Sequence, residues 1–242
     1  MKKAKQVIAL LIAVIMMLAL TACGSRNELA SIKSTVAVGD IIEFGAYEQD
    51  NDTSNGKEPI EWLVLERDGN KILVISKYAL DAQPYNDNDE FDTTWERCTL
   101  RTWMNGTFFK EAFNIAERKM IQTTLVTADK YPKYDTDPGN DTNDKIFLLS
   151  RDEVDNKYFT FTLYGETKCV PTAYAKARFT WTYAFDAYTE DGETTCHWWL
   201  RSPGKDQFRA AKVGIYGDTD NVGDFVLSGA CVRPAMWIDL DA

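Results

Sequence analysis

Residues His197–Gly204 read His-Trp-Trp-Leu-Arg-Ser-Pro-Gly, which places three large apolar side chains beside one arginine. Further along, Cys231–Ile238 reads Cys-Val-Arg-Pro-Ala-Met-Trp-Ile and repeats the combination of apolar residues, arginine and proline. A tryptophan removes ~150–250 Å² of surface from water when it is buried. Tryptophans at this density therefore predict a pair of strands in the protein core.

The arginines of these two stretches need partners, because arginine is almost never fully buried without one. Each guanidinium carries five N–H donors in a planar fork, which suits it to hold carbonyl or carboxylate oxygens of neighbouring loops. We interpret the aromatic and arginine residues of both stretches as principally structural: Trp198, Trp199, Arg201, Arg233 and Trp237. A ligand-binding role for the two arginines is the alternative.

The pattern along the chain predicts an α+β fold. A turn at Gly69 separates two strand-like runs, Ile60–Glu66 and Lys71–Ser76, which together predict a hairpin. Helices are predicted mainly in the first half, and strands dominate from Trp198 onward. This segregation is typical of a single domain with a mostly antiparallel sheet and a few short helices.

Capping residues indicate where the predicted helices begin. Thr94 is a candidate N-cap for the first helix, and Asn114 begins a run with capping-box spacing. Ser150 and Glu153 have the same spacing directly after an apolar run. We therefore expect helices to begin at these three positions.

The start of the chain predicts an exported lipoprotein. Three lysines precede the apolar run Val7–Leu20, which is shorter than the roughly 20 residues that a membrane span needs. Leu-Thr-Ala before Cys23 is similar to the lipobox that lipoprotein signal peptidase cuts before cysteine. We expect a signal peptide over residues 1–22, a lipidated tether over 23–37 and a domain over 38–242, anchored at the extracytoplasmic face of the cell membrane.

The net charge limits the partners. The chain carries a formal charge of −10, and removal of the lysine-bearing signal would make the remainder more negative. Such acidity argues against nucleic acid and against anionic membrane surfaces. Membrane contact is expected through the lipid anchor only, and the partner is expected to be an unidentified extracellular glycan or protein.

A polar run between Tyr134 and Asp144 contains the strongest candidate ligands for a metal ion. Its oxygen-bearing side chains are Asp135, Asp137, Asn140, Asp141 and Asp144. Carboxylate and amide oxygens are the ligands that calcium prefers. The spacing is not that of an EF-hand, and Asp, Asn and Gly also satisfy their own backbone in turns. The run therefore predicts either a calcium site or a structural turn.

Tyrosines in or beside predicted loops are the candidate ligand-binding residues. A tyrosine offers a flat apolar face and a polar tip, which suits stacking on sugars or peptide side chains. Tyrosines of this kind are Tyr47, Tyr85, Tyr131, Tyr134, Tyr183, Tyr188 and Tyr216. We single out Tyr134, Tyr183, Tyr188 and Tyr216 as the binding candidates, and burial in the core is the alternative for each of them.

The composition offers little for catalysis. His197 is the only histidine, and it lies between a cysteine and two tryptophans, where a buried or stacked ring is expected. The sequence contains neither zinc-type cysteine spacing nor a phosphate-binding glycine loop. We expect no cofactor apart from calcium, and a non-catalytic domain that binds a glycan, peptide or host protein. An envelope hydrolase is the alternative.

The motifs resemble those of a bacterial surface-protein family known only as a domain of unknown function. The resemblance rests on Trp-Trp-Leu-Arg-Ser-Pro-Gly at 198–204 and Val-Arg-Pro-Ala-Met-Trp-Ile at 232–238. Upstream runs, such as Glu43–Tyr47 and Pro59–Leu65, stand in the same order as similar runs of that family. The resemblance covers roughly residues 38–240 and implies no activity.

The closing arginine strand also resembles the C-type-lectin-like fold, which formylglycine-generating-enzyme-like domains share. This resemblance implies a C-type-lectin-like domain with two disulfides, one between Cys98 and Cys231 and one between Cys169 and Cys196. An ordinary buried thiol at Cys98 is the alternative. A formylglycine-generating-enzyme-like activity joins the hydrolase as an alternative function. The triplets that mark calcium-dependent sugar-binding lectins are missing, so no sugar specificity is implied.

Overall fold

The two tryptophan–arginine stretches lie in two different sheets. The structure, a computed structural model, describes residues 36–88, 92–159, 167–179, 192 and 194–242, and Val38–Ala242 form one compact unit. The predicted signal peptide, Cys23 and nearly all of the predicted tether lie outside the described residues. Within the described ranges, no helix has both the length and the apolar composition to cross a membrane.

The described residues form strands and short helices in the following order. The strands are β1 Ile41–Tyr47, β2 Glu58–Asp68, β3 Lys71–Ser76, β4 Asp81–Pro84, β5 Thr124–Val126, β6 Thr142–Asp144, β7 Trp198–Pro203, β8 Arg209–Val213, β9 Thr219–Phe225, β10 Gly229–Val232 and β11 Ala235–Asp239. The α-helices are α1 Thr99–Trp103, α2 Phe109–Ala112, α3 Ile115–Met120 and α4 Ala173–Arg178. Met104–Phe108 and Glu153–Tyr158 are π-helical.

The strands make two main sheets and one small ribbon. The first sheet has the order β1-β2-β3-β11, with antiparallel neighbours throughout. The second has the order β4-β10-β7-β8-β9, in which only β10 and β7 run parallel. β5 and β6 form an antiparallel ribbon. The predicted single α+β domain with mostly antiparallel strands and few short helices is confirmed at this level.

The turn at Gly69 and the cap at Asn114 form as predicted, and the cap at Thr94 does not. β2 and β3 form the predicted hairpin, and Gly69 turns it with φ 59°. Asn114 forms the predicted capping box of α3 with Glu117. Thr94, however, lies in a turn before the first helix, whose N-cap is Cys98. That turn uses the Thr94 carbonyl as acceptor for the Cys98 N–H at 3.0 Å, which delays the helix by one turn.

The second tryptophan–arginine stretch is not one strand but a crossing between sheets. Its first residues belong to β10 in the second sheet, and its last residues form β11 in the first. The crossing is made by Arg233 and Pro234, and the Pro234 carbonyl accepts the Ser76 N–H at 2.9 Å. Proline cannot donate to a ladder, so it marks the point where pairing with one sheet ends.

The tryptophans of β7 lie in the core. Trp198 and Trp199 are fully buried. The indole N–H of Trp198 donates to the Thr167 carbonyl at 2.9 Å, and that of Trp199 donates to the Gln83 carbonyl at 3.0 Å. A buried indole whose N–H is hydrogen-bonded stabilises the core around it, so both tryptophans have a structural role. Trp237 in β11 differs, because its side chain is only partly buried.

Arg233 joins the two sheets from inside. It is buried, and its Nε donates to the Ser76 carbonyl at the end of β3 at 2.9 Å. Its guanidinium carbon lies 5.1 Å from the centre of the Trp198 ring, within the range of a cation–π contact. Arg233 thus stabilises the crossing between the sheets, in agreement with the structural interpretation.

The four cysteines of the domain are free, buried thiols, so neither of the two expected disulfides is present. Cys98 caps α1, and its sulfur accepts the Arg101 N–H at 3.4 Å instead of reaching Cys231. Cys169 and Cys196 are neighbours through a backbone hydrogen bond of 2.9 Å, but their sulfurs are not bonded. The alternative of a buried thiol at Cys98 describes the structure.

Candidate ligand-binding site

A cleft of about 520 Å³ opens beside the end of β7. We call it the tyrosine cleft. It combines an aromatic ring, two cations, three carboxylates, an amide and a hydroxyl. The lining residues are Asp129, Lys130, Tyr131, Pro132, Arg151, Asp152, Asp155, Asn156 and Ser202. They come from the loop between β5 and β6, from the helical turn after residue 150, and from β7.

The centre of the tyrosine cleft is a stacked pair. The guanidinium carbon of Arg151 lies 3.8 Å from the centre of the Tyr131 ring. At this distance the cation is attracted by the negative face of the ring. The stack holds the tyrosine in place, so that its ring edge and hydroxyl can meet a ligand with little loss of side-chain entropy.

Hydrogen bonds within its own helical turn, together with bonds from β7 and β9, orient Arg151. Its Nε donates to Asp155 at 3.0 Å, and Asp155 in turn accepts the hydroxyl of Thr219 in β9 at 2.9 Å. The backbone N–H of Arg151 donates to the Ser202 hydroxyl at 2.9 Å. The guanidinium is therefore fixed before any ligand arrives, as a preorganised binding site requires.

A partly buried ion pair, between buried Arg201 and half-buried Glu153, lies beneath the tyrosine cleft. Ser150 and Glu153 form the predicted capping box, with the Ser150 N–H 2.7 Å from the Glu153 carboxylate and the Glu153 N–H 3.2 Å from the Ser150 hydroxyl. Arg201 of β7 binds the same carboxylate with both terminal nitrogens, and its side chain is only 4% exposed. Its other donors reach the Leu148 and Thr127 carbonyls at 2.9 and 3.1 Å.

Arg201 therefore joins three segments at one point. The helical turn that bears Arg151, the apolar run before it and the start of the loop that bears Tyr131 all meet its guanidinium. Bidentate arginine–carboxylate pairs are both stronger and more directional than single contacts. The arginine of the first stretch has a structural role, and that role is to position the cleft.

The tyrosines singled out from the sequence lie apart. Tyr134 is beside the tyrosine cleft, with its ring centre 5.6 Å from that of Tyr131. Tyr216 is 65% exposed and lies in a different, shallower hollow. Tyr183 and Tyr188 lie outside the described residues. Of the two candidates that the structure describes, Tyr134 lies beside the cleft and Tyr216 does not.

Two of the other loop tyrosines belong to the core. Tyr47 and Tyr85 are both buried, and their hydroxyls donate to Asp81 at 2.8 Å and to the Arg201 carbonyl at 3.1 Å. Burial raises the pKa of both phenols. The alternative of burial in the core therefore describes these two tyrosines, since their rings fill the interior.

The hollow beside Tyr216 contains His197. Burial lowers the pKa of His197, and its Nδ1 is buried without a hydrogen-bond partner. Burial also raises the pKa of the Cys98, Cys169 and Cys196 thiols, that of Cys98 to about 12. Thiolate, the reactive form, is therefore disfavoured.

The polar run at 135–144 does not assemble the expected calcium site. Asp144 is buried, pairs with Arg101 at 2.7 Å and accepts the Trp95 indole N–H at 2.9 Å. The other four side chains make local contacts: Asp135 with Lys130, Asp137 with the Gly139 N–H, Asn140 with Glu96 and Asp141 with the Ala128 N–H. In the described ranges, carboxylates of this run do not come together in a group of three. The structural turn is what the run forms.

Sequence reasoning missed the pair at the centre of the cleft. Tyr131 was one of several loop tyrosines, and nothing in the sequence joined it to Arg151. The capping box at Ser150 was the available signal, because it places the next residue in the first turn of a helix. The position of the facing loop depends on contacts made across the fold, such as the 2.9 Å bond from the Thr136 hydroxyl to the Gly204 carbonyl.

The fold is that of a single α+β domain with mostly antiparallel strands. The chain belongs to the family described as Domain of unknown function (DUF6273), which matches residues 69–240. The match includes both tryptophan–arginine stretches and every residue that lines the tyrosine cleft. No curated protein and no solved structure matches the chain.

Proposed function

We propose that this protein is a lipid-anchored, extracytoplasmic binding protein whose ligand occupies the tyrosine cleft without being chemically altered. The observation that carries the proposal is the fixed stack of Arg151 on Tyr131 within a cleft of about 520 Å³. An aromatic ring surrounded by a few oriented polar groups is the usual composition of a small-molecule site. Burial of the thiols of Cys98, Cys169 and Cys196, which disfavours their reactive thiolate form, favours binding over catalysis.

The charges of the cleft favour an uncharged, hydroxyl-rich ligand, for which a glycan is the best candidate. Three carboxylates oppose two cations, and Arg151 is already paired with Asp155. The Asn156 amide N–H donates to Asp152 Oδ1 at 2.7 Å, which orients both side chains. Carboxylate and amide oxygens have several lone pairs, so those of the cleft can also accept hydrogen bonds from ligand hydroxyls. A strongly anionic ligand would be repelled, since like charges disfavour binding in a partly desolvated site.

The C-type-lectin-like assignment belongs to the same proposal. It is supported by two mostly antiparallel sheets, by a last strand that returns to the first sheet, and by a ligand cleft built largely from loops. The free cysteines mean that this version of the fold would be held by its tryptophan and arginine anchors in place of disulfides.

The first test is the removal of the cleft tyrosine. A glycan array with the wild-type protein should yield a ligand, and Tyr131→Ala should weaken its binding at least tenfold, about 1.4 kcal/mol. Stacking and hydroxyl contacts would both be lost, while the partly exposed ring contributes little to the core. Isothermal titration calorimetry measures the change directly.

Tyr216→Ala is the matched control, because it removes an exposed tyrosine outside the tyrosine cleft. The Tyr216→Ala variant should bind the ligand with the affinity of the wild-type protein. Loss of binding in Tyr216→Ala with retention in Tyr131→Ala would move the site to the hollow beside His197. Turnover of the ligand during titration would favour the hydrolase alternative.

The anchor is tested separately. Cys23→Ala should release the protein from the membrane fraction, because the modified cysteine is the expected lipid attachment point. The domain should melt at the wild-type temperature, since residues 38–242 form a compact unit without that segment. Fractionation of cells labelled with a radioactive fatty acid provides the measurement. A variant that remains acylated and membrane-bound would contradict the lipoprotein assignment.

A further inference from the structure

Three carboxylates converge where β1 passes into β2. Glu48 directly follows β1, Glu58 begins β2, and Asp50 lies in the connection between them. One oxygen atom from each carboxylate lies within 4.8 Å of the others. Within the described residues, none of the three forms an ion pair with a lysine or an arginine. Like charges at this spacing repel one another unless a proton or a cation lies between them.

Glu48 supplies a second, independent observation. Glu48 is only 7% exposed, and Oε1 of its carboxylate is buried without a hydrogen-bond partner. Native proteins rarely leave a buried carboxylate oxygen unpaired, because it loses its hydration without replacement. The isolated chain therefore holds this carboxylate in an unfavourable environment.

Backbone and amide donors hold the other two carboxylates in position. The Gln49 N–H donates to Glu58 Oε2 at 2.7 Å, and the Asp52 N–H donates to Asp50 Oδ1 at 2.8 Å. The Asn55 amide donates to the second oxygen of Asp50 at 2.7 Å. These bonds orient the oxygens but add no full positive charge. The β1–β2 connection thus brings carboxylate oxygens of three side chains together, and none of these carboxylates is paired with a lysine or an arginine of the described residues.

We propose that Glu48, Asp50 and Glu58 bind one calcium ion. All three donors are hard oxygens, and loop carbonyls and water can complete the six to eight ligands that calcium takes. Magnesium requires a small octahedral shell and gives up its water reluctantly, and zinc prefers nitrogen and sulfur ligands. The site differs from the polar run at 135–144, to which the sequence directed attention.

The ion would fix one wall of a second hollow. Asp50 and Glu58 also line a depression of about 490 Å³ together with Tyr78 and Lys176. The Gln49 carbonyl accepts the Tyr174 N–H of α4 at 2.9 Å, so the same connection holds the helix on the other side. Calcium would therefore stabilise the β1–β2 connection and its contact with α4.

Titration of the full chain in detergent, first treated with a chelator, tests the site. Calcium should bind with one-to-one stoichiometry by calorimetry and raise the melting temperature, while equimolar magnesium should not displace it. Glu48→Gln should lower calcium affinity at least tenfold and remove the calcium-dependent melting shift. Asp50→Asn provides a second variant in case Glu48→Gln fails to fold.

The double variant Asp135→Asn/Asp141→Asn is the control, because it removes two carboxylates from the polar run that the structure assigns to turns. It should bind calcium like the wild type. Absence of calcium binding by the wild type would overturn the proposal and indicate that Glu48 and Asp50 share a proton. Loss of binding in the control with retention in Glu48→Gln would overturn it equally.

Discussion

Replacing Trp199 with alanine should reduce the free energy of unfolding by about 3–5 kcal/mol. The indole is fully buried, packs edge-on against Tyr85 at 5.6 Å and donates to the Gln83 carbonyl. The substitution would leave a cavity and an unpaired carbonyl in the second sheet. A domain of this size loses roughly 2–4 °C in Tm for each kcal/mol, so calorimetry should show a shift on the order of ten degrees.

Phe208→Ala is the matched control for Trp199→Ala. Phe208 is a large aromatic residue beside β8 of the same sheet, but it is 48% exposed. Its removal should change the free energy of unfolding by a much smaller amount, because little buried surface is lost. If Trp199→Ala melted like the wild type and lost ligand instead, this stretch would be a binding face.

Replacing Arg201 with methionine should cost about 3–5 kcal/mol. Methionine fills much of the space but leaves the Glu153 carboxylate without its ion-pair partner and two carbonyls without a donor. Breaking a buried pair by removing one member is more destabilising than removing both. Urea denaturation followed by fluorescence would measure the loss, and ligand affinity should fall with it because the cleft floor is disturbed.

The double variant Arg201→Met/Glu153→Gln separates charge from hydrogen bonding. Glutamine keeps an acceptor for the Ser150 N–H without a buried charge, so the double variant should be more stable than Arg201→Met alone. Equal or lower stability would mean that Arg201 acts mainly through the Leu148 and Thr127 carbonyls. Arg97→Met is the control, because the Arg97–Asp92 pair is exposed and should contribute at most about 1 kcal/mol.

Local features of the fold could be predicted because they depend on residues close together in sequence. Gly69 can take the positive φ that the β2–β3 turn requires, and Asn114 with Glu117 closes its capping box within four residues. The burial of Trp198 and Trp199 followed from the density of large apolar side chains. Each of these outcomes is decided by one turn or one strand.

Features that depend on distant partners could not be predicted. Pairing of Arg201 with Glu153 spans 48 residues, and the stack of Arg151 on Tyr131 depends on how the intervening loop folds back. Thr94 was the predicted cap of the first helix, but an extra turn precedes α1, so that Cys98 caps it instead. The predicted disulfides were implied by a related architecture, in which the first helix lies against the last strand.

The passage of the second tryptophan–arginine stretch from one sheet to the other affects when the chain can fold. β3 ends at Ser76, yet its outer neighbour, β11, begins only at Ala235. A chain that emerges from a ribosome or a translocation channel would expose the β3 edge until those last residues arrive. Unpaired strand edges readily join other chains, and contacts between distant segments form slowly. Pairing of residues 235–239 with β3, rather than of any earlier segment, would therefore close an edge that could otherwise join other chains.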